Sequence, residues 1–328
     1  MIKRSRTFPI CSSKDRNDGL AYRLCESIDT DLNILLISRQ EELNFNEDIL
    51  GLKNLPYVII DYIENGWDNN FKETLVIGKN TERFDFLYGE GWEKLHDFVK
   101  QYPPKIYFKR ELLKEDESDY LKPIEYPNFQ SDYPLQLREE FNNRPIEVLN
   151  YWGRSHEARL ILHGSIWKNS QAKGYAVCDN IYQFNHFMHH EKDARKWLSF
   201  HIPFYDRQDI SQIMKINAMS KLSISLFGCG RKCFRNTGES IVNSICVMPE
   251  DGLAYSYPFE HGKNCIKFSI NDDVTGLKNE WDVIGACEEA LKRNDLYDIY
   301  LESKKIADWY RVDNYLKNYL EPLINKIL

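Results

Sequence analysis

The sequence predicts an α/β protein built from two domains and a helical tail. The chain has 328 residues, a length that suits two domains of ordinary size. Short runs of β-forming apolar residues alternate with helical patterns in both halves, which is typical of parallel sheets covered by helices. Between the halves, residues 112–145 are acidic, aperiodic and rich in Pro and Tyr, as expected of a connection between domains.

The first half is predicted to contain five strands and two clear helices. The strands are residues 7–13, 33–39, 57–61, 74–78 and 105–108. The helix 18–28 repeats apolar residues at helical spacing and has Asp18 at its N-cap position. The helix 91–102 ends directly before two prolines, which cannot continue it.

The second half repeats the alternation and ends in helices. Its predicted strands are residues 146–153, 172–178, 221–228, 244–249 and 265–270. Its predicted helices are residues 155–166, 207–220, 278–293, 296–309 and 312–327.

Composition limits the location and the partners of the protein. No apolar run approaches the roughly 20 residues that a membrane helix needs, and eight scattered cysteines indicate reduced thiols. We therefore expect a cytoplasmic protein without a transmembrane segment.

The charge of the chain is unevenly divided. Residues 1–143 carry 19 basic and 27 acidic side chains, a net charge of −8, whereas the remainder carries +1. DNA is thus a disfavoured partner, while the second half can hold a small anion.

The stretch "SLFGCGRKCFRNTGESIVNSICVMP", residues 225–249, is the most informative of the chain. Its cysteines at 229 and 233 have a spacing that zinc sites accept, but the next two cysteines lie in predicted buried strands, so we expect no metal site. A dinucleotide-binding loop is excluded because Cys233 and Phe234 stand where a third small residue is needed.

An anion-binding corner is the third interpretation of this stretch. Two glycines allow a sharp turn after a strand, basic side chains follow, and a predicted helix begins near Thr237 with unpaired N–H donors. The residues that would form the corner are Gly228, Gly230, Arg231, Lys232 and Arg235. Glu239 could accept hydrogen bonds from ribose or sugar hydroxyls. The alternative is a solvated basic loop in which Glu239 is an ordinary first-turn charge.

Four segments of the second half carry a family resemblance. They are "RPIEVLNYWG" from residue 144, "SQIMKINAMSKLSISLFGCG" from residue 211, "CFRNTGESIVNSICVMPEDG" from residue 233 and "YPFEHGKNCIKF" from residue 257. Together they resemble the donor half of GT-B glycosyltransferases, most of all bacterial and viral families related to spore-maturation and exostosin-type transferases. In the first half, only the strand–helix layout and "YFKREL", residues 107–112, are similar to the family.

The resemblance implies two Rossmann-like domains that face each other across a cleft. Residues 1–143 would bind the acceptor, residues 144–312 would bind the donor, and residues 313–328 would form a helix returning toward the first domain. The implied activity is metal-independent transfer of a sugar from a nucleotide-diphosphate sugar, as co-substrate, to a saccharide or other hydroxyl acceptor, with no cofactor. The paired glutamates of retaining members are absent, since position 247 is Val, so the stereochemical course is not indicated.

Further site residues follow from this architecture. A catalytic base is expected at the carboxyl ends of the strands in the first half. The candidates are Asp15, Asp18 and Asp61. Lys109 and Arg110 would add positive charge to the cleft, and Arg159 and His261 would join the donor-binding residues. As alternatives, Asp18 is a helix cap and Asp61 a simple strand end.

Two other functions fit the same sequence. One is a phage-type transferase that glycosylates a DNA base, against which the acidic first half argues. The other is a non-catalytic sugar- or nucleotide-binding protein with a degenerate site, because three residues separate Arg235 from Glu239 where the family has two.

Overall fold

The structure is a computed structural model, and it describes most of the chain. The described residues are 7–9, 16–37, 45–63, 76–79, 90–128, 134–152, 157–173, 175–178, 197–201, 210–228, 231–232, 236–237, 243–271 and 276–327.

The first half forms a five-stranded parallel sheet whose spatial order follows the chain order. Its strands are β1 (Thr7–Pro9), β2 (Asn33–Ile37), β3 (Tyr57–Asp61), β4 (Tyr107–Lys109) and β5 (Leu121–Pro123). Its helices are α1 (Arg16–Ser27), the short α2 (Glu47–Leu50) and α3 (Glu90–Gln101). Short 3₁₀ turns cover Gly51–Asn54 and Lys114–Asp116.

Helices or loops cover both faces of this sheet. Ile34 and Ile60 face a hydrophobic cluster that contains Leu24 of α1, while Leu35 and Ile59 face a cluster that contains Leu95 of α3. Alternating residues of one strand are therefore buried on opposite sides, which explains why these strands are apolar throughout.

The second half forms a six-stranded parallel sheet in the order β11-β10-β9-β6-β8-β7. Its strands are β6 (Ile146–Trp152), β7 (Tyr175–Cys178), β8 (Trp197–His201), β9 (Ser220–Ile224), β10 (Ile245–Pro249) and β11 (Ile266–Phe268). The helices are α4 (Arg138–Asn142), α5 (Glu157–Lys173), α6 (Ile210–Ala218), α7 (Glu280–Leu291) and α8 (Leu296–Trp309). The predicted fold class, α/β with two parallel sheets, is confirmed.

The C-terminal segment packs against the first sheet. It consists of α9 (Val312–Tyr315), a π-helical turn (Leu316–Leu320) and α10 (Glu321–Asn325). Leu320 and Ile324 share one hydrophobic cluster with Ile34 of β2 and with Cys246 and Met248 of β10. Both sheets thus contribute to a common core beneath this segment.

Two differences from the predicted elements have clear physical causes. The end of the predicted strand 74–78 is a turn, because Gly78 adopts a φ of +87° while its neighbour Ile77 fills the core. Strand β5 lies within the segment interpreted as a connection, since three residues ending in Pro123 carry too little pattern to predict a strand. Strand β8 was also not predicted.

No helix within the described ranges combines the length and the apolar character needed to cross a lipid bilayer.

The buried thiols yield a test of the fold. Cys25, Cys246, Cys265 and Cys287 are buried and form no disulfide bond, and burial raises the pKa of the Cys265 thiol to about 12 and that of Cys25 and Cys287 as well. Because the reactive thiolate is scarce and inaccessible, we expect these four to resist alkylation at pH 8. Peptide mapping by mass spectrometry after N-ethylmaleimide treatment measures this. Protein unfolded in guanidinium is the control, in which all four thiols should be labelled. Rapid labelling of Cys25 in the native protein would contradict its burial in the core.

Candidate functional site

The order of strands in the second sheet defines a crevice. From β6, the chain passes first to β7 and β8 on one side and then to β9, β10 and β11 on the other. In open parallel sheets, ligands bind at the carboxyl ends of the strands where the order reverses. The candidate site therefore lies beyond β6 and β9, where α5 begins.

Arg159 and Gly228 meet at this crevice. Arg159 is the third residue of α5, is 4% exposed, and donates a hydrogen bond from Nη2 to the carbonyl oxygen of Leu226 at 3.0 Å. Gly228 lies so close that a Cβ atom added to it would be 3.7 Å from that same Nη2. The guanidinium and the start of α5, which is the positive end of the helix dipole, give this corner positive potential. The structure thus brings together two residues predicted to bind the donor.

Lys232 has a different environment from the one predicted. Its side chain is 3% exposed, and its Nζ donates to Glu125 Oε1 at 2.7 Å and to the carbonyl oxygen of Ala254 at 2.7 Å. A third, longer contact of 3.5 Å reaches the carbonyl oxygen of Ile124. Burial lowers the pKa of Lys232, and the nearby Glu125 carboxylate opposes that shift. All three donors of the ammonium face protein acceptors, so we assign Lys232 a structural role in place of phosphate binding.

Glu125 is the centre of this network, which joins both halves. Its side chain is fully buried and also accepts hydrogen bonds from Ser256 Oγ at 2.7 Å and from the Tyr315 hydroxyl at 2.9 Å. The Tyr62 hydroxyl donates to its carbonyl oxygen at 2.9 Å. One carboxylate therefore connects the segment after β5, the loop after β9, the loop after β10 and the C-terminal segment.

A second polar chain fixes the loops after β9 and β10. Ser225 Oγ and Asn236 Oδ1 are 2.5 Å apart, Asn236 donates to the Tyr255 hydroxyl, and that hydroxyl donates to Asp251 Oδ2 at 2.7 Å. Burial raises the pKa of the Asp251 carboxyl, although the hydrogen bond from Tyr255 opposes it. The Thr237 hydroxyl, in turn, donates to the carbonyl oxygen of Tyr126 at 2.8 Å.

The basic pair expected in the cleft is engaged inside the protein. Lys109 is 1% exposed, with Nζ 2.8 Å from the carbonyl oxygen of Ile63 and 3.3 Å from Asp61 Oδ2. The Tyr107 hydroxyl donates to the same Asp61 oxygen at 2.7 Å. Asp61 and Lys109 therefore stabilise the carboxyl edge of the first sheet, and we correct their predicted roles as base and cleft cation. Arg110 is also buried and donates to the carbonyl oxygen of Lys232 at 2.6 Å.

The remaining predicted residues are dispersed. His261 is exposed at the amino end of β11, away from the carboxyl edge, and its Nδ1 accepts a hydrogen bond from the Lys267 backbone. The N-cap assignment of Asp18 is wrong, because α1 begins at Arg16. Arg231 is buried beside Lys232. Four predicted residues lie outside the described part of the chain: Asp15, Gly230, Arg235 and Glu239.

Metal ligands do not cluster in the described part of the chain. No group of three His, Cys, Asp or Glu side chains there is placed to hold an ion.

Sequence reasoning missed Glu125 and Glu111, which bind the loop after β9. The available signal was local: in "KPIEYPN", one carboxylate stands alone between apolar and aromatic residues. A glutamate is fully buried only when it is paired, and the sequence does not show that the partner of Glu125 is Lys232.

Comparison with solved structures identifies the fold. A chain of the GtfA/B complex superposes with a TM-score of 0.53 at 10% identity, covering 96% of this chain and 62% of that one. A structure described as trehalose-6-phosphate from E. coli bound with UDP-2-fluoro glucose gives 0.50 at 12% identity, covering 94% and 76%. This chain thus spans less than two thirds of the GtfA/B chain. Comparison with protein-family models and with curated proteins finds no match.

These likenesses show the architecture of the chain. It has the GT-B fold, with two parallel sheets packed together and a C-terminal segment that returns to the first.

Removing one charge of the buried Lys232–Glu125 pair should lower the free energy of unfolding by a large amount. Lys232→Met or Glu125→Gln should each cost about 3–5 kcal/mol, because the remaining charge stays buried without its partner. The double variant should cost less than the sum of the two, since neither charge is then left alone. Urea unfolding followed by circular dichroism measures all three.

A matched control uses an ion pair on the surface. Lys263 pairs with Glu260 at 2.8 Å, but both side chains are about half exposed. Lys263→Met should leave the unfolding midpoint unchanged, because water and salt screen this pair. Strictly additive losses for Lys232 and Glu125 would contradict a coupled buried pair.

Proposed function

We propose that the protein is a glycosyltransferase that moves a sugar from a nucleotide-diphosphate sugar to an acceptor hydroxyl. The observation that carries this proposal is the meeting of Arg159, Gly228 and the start of α5 at the crevice of the second sheet. A glycine lets a ligand approach the backbone, while the guanidinium and the helix N-terminus complement a diphosphate.

The GT-B fold supports a nucleotide sugar as the donor. One structural neighbour is described as bound with UDP-2-fluoro glucose, so we propose a UDP sugar first. Membership in the spore-maturation and exostosin-type families, and location in the cytoplasm, belong to the same proposal.

The proposed reaction needs no metal ion. An acceptor oxygen, held by the first half, forms a bond to the anomeric carbon as the bond from that carbon to the diphosphate oxygen breaks. The acceptor proton passes to a carboxylate, for which Asp15 and Asp18 are the proposed bases, since Asp61 is engaged inside the sheet. Arg159 and the N-terminus of α5 stabilise the departing diphosphate. Arg235 is the proposed phosphate contact from the loop after β9.

Replacing Arg159 tests the donor site. Arg159→Ala should weaken UDP binding by about 1.5–3 kcal/mol, because a charge-assisted hydrogen bond to phosphate is lost. Isothermal titration calorimetry with UDP, UDP-glucose and UDP-N-acetylglucosamine, without divalent cations, measures this. Arg159→Lys keeps the charge and should retain part of the affinity.

The matched control is Arg138→Ala. Arg138 is about half exposed and pairs with Asp298 at 2.7 Å on α8, so its loss should not change UDP affinity. Circular dichroism confirms that each variant is folded. If the folded wild-type protein bound no nucleotide sugar, the proposed function would be overturned. Unchanged affinity in Arg159→Ala would move the site elsewhere.

A further inference from the structure

Lys232 is held at three separate points by the first half of the chain. Its backbone N–H donates to Glu111 Oε1 at 3.1 Å, and its carbonyl oxygen accepts from Arg110 Nη2 at 2.6 Å. Its side-chain Nζ donates to Glu125 at 2.7 Å. These three contacts hold the N–H group, the carbonyl group and the side chain of Lys232. They therefore fix the direction of the backbone at this residue, and do more than keep the loop near the first half.

The same loop has a second attachment five residues further on. Thr237 donates from its hydroxyl to the carbonyl oxygen of Tyr126, again in the first half. Asn236 contacts Ser225 and Tyr255 of the second half. The described residues on both sides of Arg235 are therefore anchored, and most of the anchoring atoms belong to the opposite domain.

This attachment bears on the crevice because Lys232 follows Gly228 by only four positions in the sequence. A loop that is already ordered binds a ligand more tightly, since the entropy of ordering is not lost on binding. We propose that Arg110, Glu111 and Glu125 are positioning residues, which fix Lys232 in the loop after β9 from the first half and thereby prepare the donor site. The positioning role follows from the contacts with Lys232 alone, whereas the effect on donor affinity rests on the proposed function.

Glu111 offers the cleanest test because it binds the backbone of Lys232. Glu111→Ala removes the acceptor, and we expect the Lys232 amide to exchange with deuterium about tenfold faster. UDP affinity should fall about tenfold as well. Glu111→Gln keeps an oxygen acceptor at the same place and should restore both values. Hydrogen–deuterium exchange by mass spectrometry and calorimetry on the full chain provide the two readouts.

A control variant separates positioning from general loss of stability. Ile284 is buried in the core between α7 and the second sheet, and Ile284→Val weakens that core without touching the loop after β9. It should leave Lys232 exchange and UDP affinity unchanged. Equal losses of affinity in Ile284→Val and Glu111→Ala would show that stability alone is responsible and would overturn the proposal.

The remaining outcomes distinguish this proposal from the proposed function. If the wild-type protein binds UDP and Glu111→Ala changes neither readout, the positioning role is overturned while the function stands. If the wild-type protein binds no nucleotide, the proposed function is overturned. The positioning role is then tested by the deuterium exchange rate of the Lys232 amide alone. Faster Lys232 exchange in Glu111→Ala that Glu111→Gln reverses would then support the attachment, and unchanged exchange would overturn it.

Discussion

The buried ion pair between Lys232 and Glu125 is the interaction on which the arrangement of the two halves depends. Its side chains are 3% and 0% exposed, and two charges removed from water are tolerated only when their other polar atoms also have partners. Here those partners come from Ala254, Ser256 and Tyr315. Segments far apart in the chain must therefore meet at one point, which specifies one placement of the two sheets.

Tyrosines complete this junction. The rings of Tyr310, Tyr315 and Tyr319 follow one another with centroids 5.7 and 5.4 Å apart, and the Tyr319 hydroxyl donates to the carbonyl oxygen of Pro123 at 2.6 Å. Burial raises the pKa of all three phenols well above the usual value. The large rings fill the space between the halves while the hydroxyls satisfy buried oxygens.

The basic residues of the chain divide into two groups that composition cannot separate. Lys109 and Lys232 neutralise buried carboxylates, whereas Arg159 lies at the start of a helix beside a glycine, at the edge where parallel sheets bind ligands. The residues around Lys232 do not reveal whether it is a solvated loop lysine or half of a buried ion pair. Its partner, the Glu125 carboxylate, lies more than a hundred residues away in the sequence. The proposed donor site therefore has fewer cations than the sequence of the loop suggests.

Local pattern alone determined the α/β class and most strands and helices, because periodicity and turn chemistry act within a few residues. Strand β5 escaped that reasoning, since a short strand is stabilised by its neighbours in the sheet and not by its own pattern. The roles of Asp61, Lys232 and Glu125 were decided only by the tertiary structure. Whether a charged side chain serves a ligand or a buried partner depends on contacts between distant segments, which folding alone creates.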